Sequence, residues 1–237
     1  LESGKTDMEY KNDKGEFIDP DEFLIFIQVH QIANAAEIMR SYPGWQEADF
    51  VKFKAWIADV FYPHITKFLS THNGNECALH YWLNWDLSAM TALLSIGILA
   101  DDNFKINEAI QYFKFGIGSG NIGNGVPFIH LDPDSNEMLG QCQESGRDQG
   151  HATLCVSLLG AFCQMAKNVG EDLFIFDDGR ALAMSEYVAK YNIGGAETGS
   201  SSASWKMTGF RYTDNDLPYT TYTNCSGSWD TISAQER

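Results

Sequence analysis

The stretch from Gln141 to His151 reads Gln-Cys-Gln-Glu-Ser-Gly-Arg-Asp-Gln-Gly-His. Amides, a carboxyl, a hydroxyl, a guanidinium and an imidazole stand together there. On a helix turning ~100° per residue, Glu144, Arg147 and His151 fall within about 60° of arc. Glu144 and His151 then lie about 10 Å apart along the axis, the width of a sugar ring or two. Such a face can bind an anion and move a proton beside it. The residues that follow, Leu154, Val156, Leu158 and Leu159, are apolar, so the polar groups sit at the N-terminal end of a helix, where a cleft is expected. The same spacing also fits a solvated first turn with a Glu–Arg pair, worth a few tenths of a kcal/mol.

A second group is Trp82-Leu83-Asn84-Trp85-Asp86. An amide between two indoles in a buried helix needs hydrogen-bond partners. It fits either an amide aimed at a ligand carboxylate or a satisfied polar network between helices.

The elements that must position these groups read as helices. Asp19-Pro20-Asp21-Glu22 is a helix start, with Asp19 as N-cap, Pro20 at the first helical position and Glu22 closing a capping box. That helix runs to about Arg40, and Tyr42-Pro43-Gly44 breaks the chain. A second helix spans about 46–69, its apolar face set by Phe50, Phe53, Ile57, Val60 and Phe61. Pro63 is expected to kink or split it. A third, about 76–99, is apolar almost all round, as a buried helix is. A fourth covers about 105–115. The segment 116–139 is rich in Gly and Asn and reads as one long loop of the kind that carries function. A fifth helix is expected over 144–168 and a sixth over 179–190. Beyond Tyr191 the chain turns Gly-, Ser-, Thr- and Tyr-rich without a period. The expected fold is all-α, a single domain over 1–237 built of antiparallel helical hairpins with an irregular C-terminal segment, either an α/α toroid or an open helical array. No repeat of 30–45 residues is visible, which disfavours a regular solenoid.

Leu83-Asn84-Trp85-Asp86, Gly140-Gln141, the string from Gln143 to His151 and the run from Asp172 through Lys190 into Tyr191-Asn192 resemble the alginate-lyase domain superfamily, over roughly 22–192. The resemblance implies an incomplete α/α toroid with a cleft across it. It implies β-elimination at a uronic acid of a polysaccharide such as alginate or glucuronan, with no cofactor and no essential metal. The sequence has no HExxH or similar cluster. His151 matches the family histidine, as base or as charge neutraliser. Asn84 and a protonated Glu144 match groups that hydrogen-bond the substrate carboxylate. Such bonding stabilises the enolate-like charge that develops once the proton at C5 leaves, and a buried Glu beside an anion suits a proton donor. Arg147 matches an organiser of the catalytic group. Trp85, Gln143, Gln149 and Tyr191 complete the expected substrate-binding set. The family's acid/base tyrosine is expected in a segment just after Arg237, so the chain is expected to stop short of its final helices. Tyr187, Tyr191, Tyr212, Tyr219 and Tyr222 are the in-chain substitutes.

Composition sets the outer limits. The 237 residues carry a formal net charge of −16 with no basic run, which argues against nucleic acid or an anionic membrane as partner. The charge also opposes an acidic polymer, although such a field fades beyond about 8 Å in physiological salt. With 15 Phe, 10 Tyr and 6 Trp, rings are available both for a core and for stacking on sugars. Of the five cysteines, Cys155 and Cys163 lie about 12 Å apart along one expected helix, too far to bond each other. The longest apolar run, Met90–Ala100, is too short to span a bilayer. Asn224-Cys225-Ser226 is a glycosylation sequon, and the resemblance implies a secreted or periplasmic protein. Two other functions fit the residues: a glycoside hydrolase pairing Glu144 with an Asp such as Asp86, and a non-catalytic carbohydrate-binding protein.

Overall fold

A computed structural model describes residues 21–71, 83–132, 135–146 and 149–193. Its elements in chain order are α1 (Asp21–Ile38) with a 3-10 turn at Met39–Ser41, α2 (Glu47–Thr71), α3 (Leu83–Leu99) and α4 (Asn103–Phe115). There follow the single turn α5 (Ile122–Gly125), strands β1 (Phe128–Leu131) and β2 (Met138–Gln141), a 3-10 turn at Gln143–Gly146, α6 (Gln149–Asn168) and α7 (Phe176–Ile193). The described residues are mostly helical, as the periodicity predicts.

The helices are arranged around α3. Every residue of α3 except Ile98 is buried, and α1, α2, α4 and α6 all pack against it. A helix enclosed on all sides needs apolar residues on all sides, and Leu87, Met90, Leu93, Leu94 and Ile96 supply them. Its hydroxyls satisfy themselves locally. Ser88 donates to the Asn84 carbonyl at 2.7 Å, Thr91 to Leu87 at 2.5 Å and Ser95 to Ala92 at 2.8 Å. Rings join α3 to its neighbours: Phe68 of α2 stacks on Trp85 at 6.0 Å and packs against Phe26 of α1 at 5.5 Å. Phe113 of α4 and Phe162 of α6 stack at 5.3 Å.

The turn from α3 to α4 is tight. Asp101 takes a left-handed φ of 58°. Asp102 caps α4 by accepting from the N–H groups of Phe104 and Lys105. A Cβ on Gly97 would stand 2.8 Å from the Ile106 nitrogen, so the two helices approach with no room for a side chain.

Four sequence expectations need correction. The segment 116–139 is not one loop, because it holds α5 and a two-stranded antiparallel hairpin with Phe128 opposite Gln141 and Leu131 opposite Met138. Its four-residue strands are too short for a visible alternation, and β2 packs against α7. Of the two outcomes expected at Pro63, a kink or a split, the split does not occur, since α2 runs on through it. The expected fifth helix starts at Gln149 rather than 144, because Gln143–Gly146 form a separate 3-10 turn. Glu144 and His151 therefore do not share one helix face. The last helix opens on a left-handed turn at Asp177, Asp178 and Gly179. The expected N-cap at Asp19 and Pro20 and the irregular segment beyond residue 193 lie outside the described residues. Among the described residues no helix is long and apolar enough to cross a membrane.

Two predictions come from this packing. A Cβ on Gly140 would lie 2.6 Å from the Met184 nitrogen and 2.9 Å from the Ala183 carbonyl carbon, so backbone must move to admit it. Gly140→Val is expected to cost about 1–3 kcal/mol. An unchanged urea midpoint would contradict the close contact of β2 with α7. His30, only 8% exposed on α1, has its pKa held below the ordinary 6.5 by burial. The folded state thus favours the neutral ring, and the unfolded chain takes up the proton first on acidification. Stability is expected to fall as pH drops below about 6.5, and His30→Leu to remove that part of the decline in pH-dependent melts.

Candidate functional site

The first backbone N–H groups of a helix have no acceptor inside it. At the start of α3 two of them are met by side chains from a distant part of the chain. Gln143 Oε1 accepts from the Leu83 N–H at 2.5 Å. Glu144 Oε1 accepts from the Asn84 N–H at 3.3 Å and from Asn84 Nδ2 at 2.5 Å. The 3-10 turn thus caps α3 from outside, and an acidic side chain sits at the positive pole of the helix. Asn84 and Glu144 are each 0% exposed and Gln143 only 2%. Asn84 Oδ1 has no hydrogen-bond partner, so this buried amide gives one of its two Nδ2 hydrogens to Glu144 and keeps its acceptor side open.

The turn is itself held in shape. The Ser145 N–H donates to the Cys142 carbonyl at 3.0 Å, and Cys142 Sγ lies 3.3 Å from Ser145 Oγ. Burial pushes the Cys142 thiol up to about 11, so it is a structural group and a poor nucleophile near neutrality. Cys142, Cys155 and Cys163 are buried thiols outside any disulfide.

Upstream, the hairpin adds a pair that sequence reading missed. His130 Nε2 lies 3.1 Å from Gln141 Oε1. Phe128 faces Gln141 and His130 faces Leu139 in the ladder, so His130 and Gln141 are diagonal neighbours on one face. Phe128 and His130, two apart on β1, stack at 6.5 Å on that same face. Gln141 Nε2 is buried without a partner. The only signal in the sequence was the Phe-x-His alternation, too short to stand out from the loop around it.

Asp86 belongs to a different cluster. Residues two apart on a helix point about 200° away from each other, so Asp86 faces away from Asn84. Its Oδ2 accepts from the Tyr112 hydroxyl at 3.1 Å and the Gly120 N–H at 2.8 Å. Burial, and then the Asp86 charge, push the Tyr112 phenol above its ordinary range. A Cβ on Gly120 would collide with Met90 Sδ and stand 3.0 Å from Asp86 Cβ, so the loop after α4 must carry glycine to reach the carboxylate. Asp86 is therefore not the partner of Glu144 that a glycoside hydrolase would need. A cavity of about 340 Å³ between α2 and α4 lies on this Tyr112 side. Its walls include Leu69, Leu93, Phe115 and Ile117, an apolar lining poorly suited to a sugar acid.

The other expected residues are distributed as follows. His151 is half-buried in the first turn of α6, and α6 packs against both α3 and the 3-10 turn. Trp85 is 8% exposed and stacked on Phe68, one residue after Asn84 at the start of α3. Tyr187 is buried on α7, only 2% exposed. Arg147, Tyr212, Tyr219 and Tyr222 lie outside the described residues, as do the side chains of Gln149 and Tyr191. Among the described residues there is no group of three or more His, Cys, Asp or Glu side chains able to hold a metal ion.

The arrangement brings an amide and a carboxyl into contact at the start of one helix, beside the helix that carries a half-buried imidazole. Hydrogen-bond donors for a carboxylate and a proton acceptor next to it are what an elimination at an acidic carbon requires. No curated protein and no solved structure matches the chain. A family model described as alginate lyase matches residues 6–198, most of its length. The chain belongs to the alginate lyase family.

Proposed function

We propose that this protein is a polysaccharide lyase that cleaves a uronic-acid polymer, alginate or a glucuronan-like chain, by β-elimination on an incomplete α/α toroid. The observation that carries the reading is the buried contact of Asn84 with Glu144 at the start of α3, next to the N-terminal turn of α6 with His151, in a chain of the alginate lyase family.

The chemistry assigns a task to each group. The C5 proton of a uronate is weakly acidic because the adjoining carboxylate is already negative. The Asn84 amide donates to that carboxylate, so that the charge delocalised into it as the proton leaves is stabilised. His151 takes the C5 proton. The C5–H electron pair forms the C4–C5 double bond, the C4–O4 bond breaks, and a proton delivered to O4 completes the departure of the leaving chain. Arg147, two residues before α6, organises this group, and a tyrosine supplies the proton to O4. Gln143, Gln149 and Tyr191 contact the neighbouring sugar. The setting is secreted or periplasmic, where such polymers are met.

The first test is incubation of the protein with alginate, glucuronan and related polyuronates while ultraviolet absorbance is followed. A rise from the conjugated uronate product is expected with at least one of them. Saturated reducing ends would replace the lyase by a hydrolase, and binding with no product would replace it by a carbohydrate-binding protein. The second test concerns His151. Its replacement by Ala is expected to lower kcat ~10²–10⁴-fold, the usual contribution of an acid–base group, with the fold intact by circular dichroism. Near-normal turnover would remove His151 from the proton transfer.

A further inference from the structure

Glu144 invites a more specific reading than that of a group that touches substrate. It is 0% exposed. Its Oε1 accepts both the backbone N–H of Asn84 at 3.3 Å and the side-chain Nδ2 at 2.5 Å. Two bonds from one residue to one oxygen fix the backbone and the side chain of that residue together. Gln143, its neighbour in the turn, holds the preceding N–H of Leu83 at 2.5 Å, so the anchor cannot slide along α3. The fixed orientation matters because an Asn amide has two chemically different ends. With one N–H tied to Glu144, the second N–H is held in the same plane, and its direction is set.

Asn84 Oδ1 supplies a separate observation. It is buried and has no hydrogen-bond partner. A buried polar atom left unmet costs about 1–3 kcal/mol, so native structures leave few of them and those few call for an explanation. The two ends suit two groups of a sugar acid: Oδ1 can accept from a hydroxyl, and the second N–H can donate to a carboxylate.

We infer that Glu144 is a positioning residue that works through Asn84, clamping the amide at the start of α3 so that its remaining polar groups meet the acidic sugar, without itself exchanging a proton with the substrate. This rests on the lyase reading. The clamp needs an acceptor oxygen at Oε1, and a glutamine side chain provides one in the same place.

The experiment is a mutant cycle on the whole chain with Glu144→Gln, Glu144→Ala, Asn84→Ala and the double variant Asn84→Ala/Glu144→Ala. It is read in kcat and KM on a polyuronate and in calorimetric affinity for a saturated uronate trisaccharide. Glu144→Gln is expected to lose only about fivefold, the difference between a charged and a neutral acceptor. Glu144→Ala is expected to lose ~10²-fold, mainly in kcat, as a displaced positioning group does. In the Asn84→Ala background, removing Glu144 is expected to cost no further activity or affinity. Melting curves on each variant separate this from unfolding, and Glu144→Gln keeps the shape of the side chain. If Glu144→Gln is as inactive as Glu144→Ala, or if the two losses multiply, Glu144 acts on the substrate directly and the inference falls while the lyase reading stands. If the parent chain neither binds the trisaccharide nor releases unsaturated product, both fall.

Discussion

The start of α3 is where the structure of the candidate site is decided. A helix enclosed on every side cannot turn its first N–H groups to water, and leaving them buried and unpaired would cost about 1–3 kcal/mol each. Here their acceptors come from a turn 60 residues further along the chain. The requirement that α3 be capped is therefore also the requirement that the Gln143–Gly146 turn lie against it. Because α6 begins at Gln149, only a few residues separate the cap from the first turn of α6. Capping the central helix and placing His151 are one structural event.

The same helix explains why two polar clusters coexist so close together without merging. Asn84 and Asp86 are two residues apart, and the helical period sends them to opposite sides. One side receives the turn before α6. The other receives α4 and the glycine-rich loop, through Tyr112 and Gly120. The first cluster ties a neutral amide to a carboxyl. The second ties a carboxylate to a phenol that burial keeps protonated. The turn of the first cluster packs against α6, the helix that carries His151.

Much of this was legible in the sequence, and the failures have physical causes. The helices were legible by different signals: α1 by its start signal, α2 by its 3.6-residue period, and α3 by being apolar almost all round, as an enclosed helix is. Asn84 stood out because an amide in an otherwise apolar helix needs a partner, and Glu144 proved to be that partner. The helix expected to start at 144 was misread because Glu144, Arg147 and His151 fit a helical period although the chain there is a 3-10 turn. The needs of α3 for acceptors overrode that local pattern. The hairpin left almost no trace, since four-residue strands held by Gly140 against α7 have no period to read.

The net charge of −16 bears on how such a protein can hold an acidic polymer. Among the described residues there are nine lysines and arginines. Arg40, Lys52, Lys54, Lys105, Lys114, Lys167, Arg180 and Lys190 lie in ion pairs with the protein's own carboxylates. These cations are largely committed, and most sit at the surface, where the net contribution of a pair is small and salt screens it. The region around the start of α3 is built differently. Asn84, Gln141 and Gln143 are neutral amides, all buried, and an amide donates to a carboxylate without needing a counter-charge of its own. On the proposed function, directed amide donors in a desolvated site give a strongly acidic protein a way to recognise a uronate that needs no cationic patch. They also favour a ligand with an acceptor in one defined position over any passing anion, because orientation, and not charge, selects what they bind.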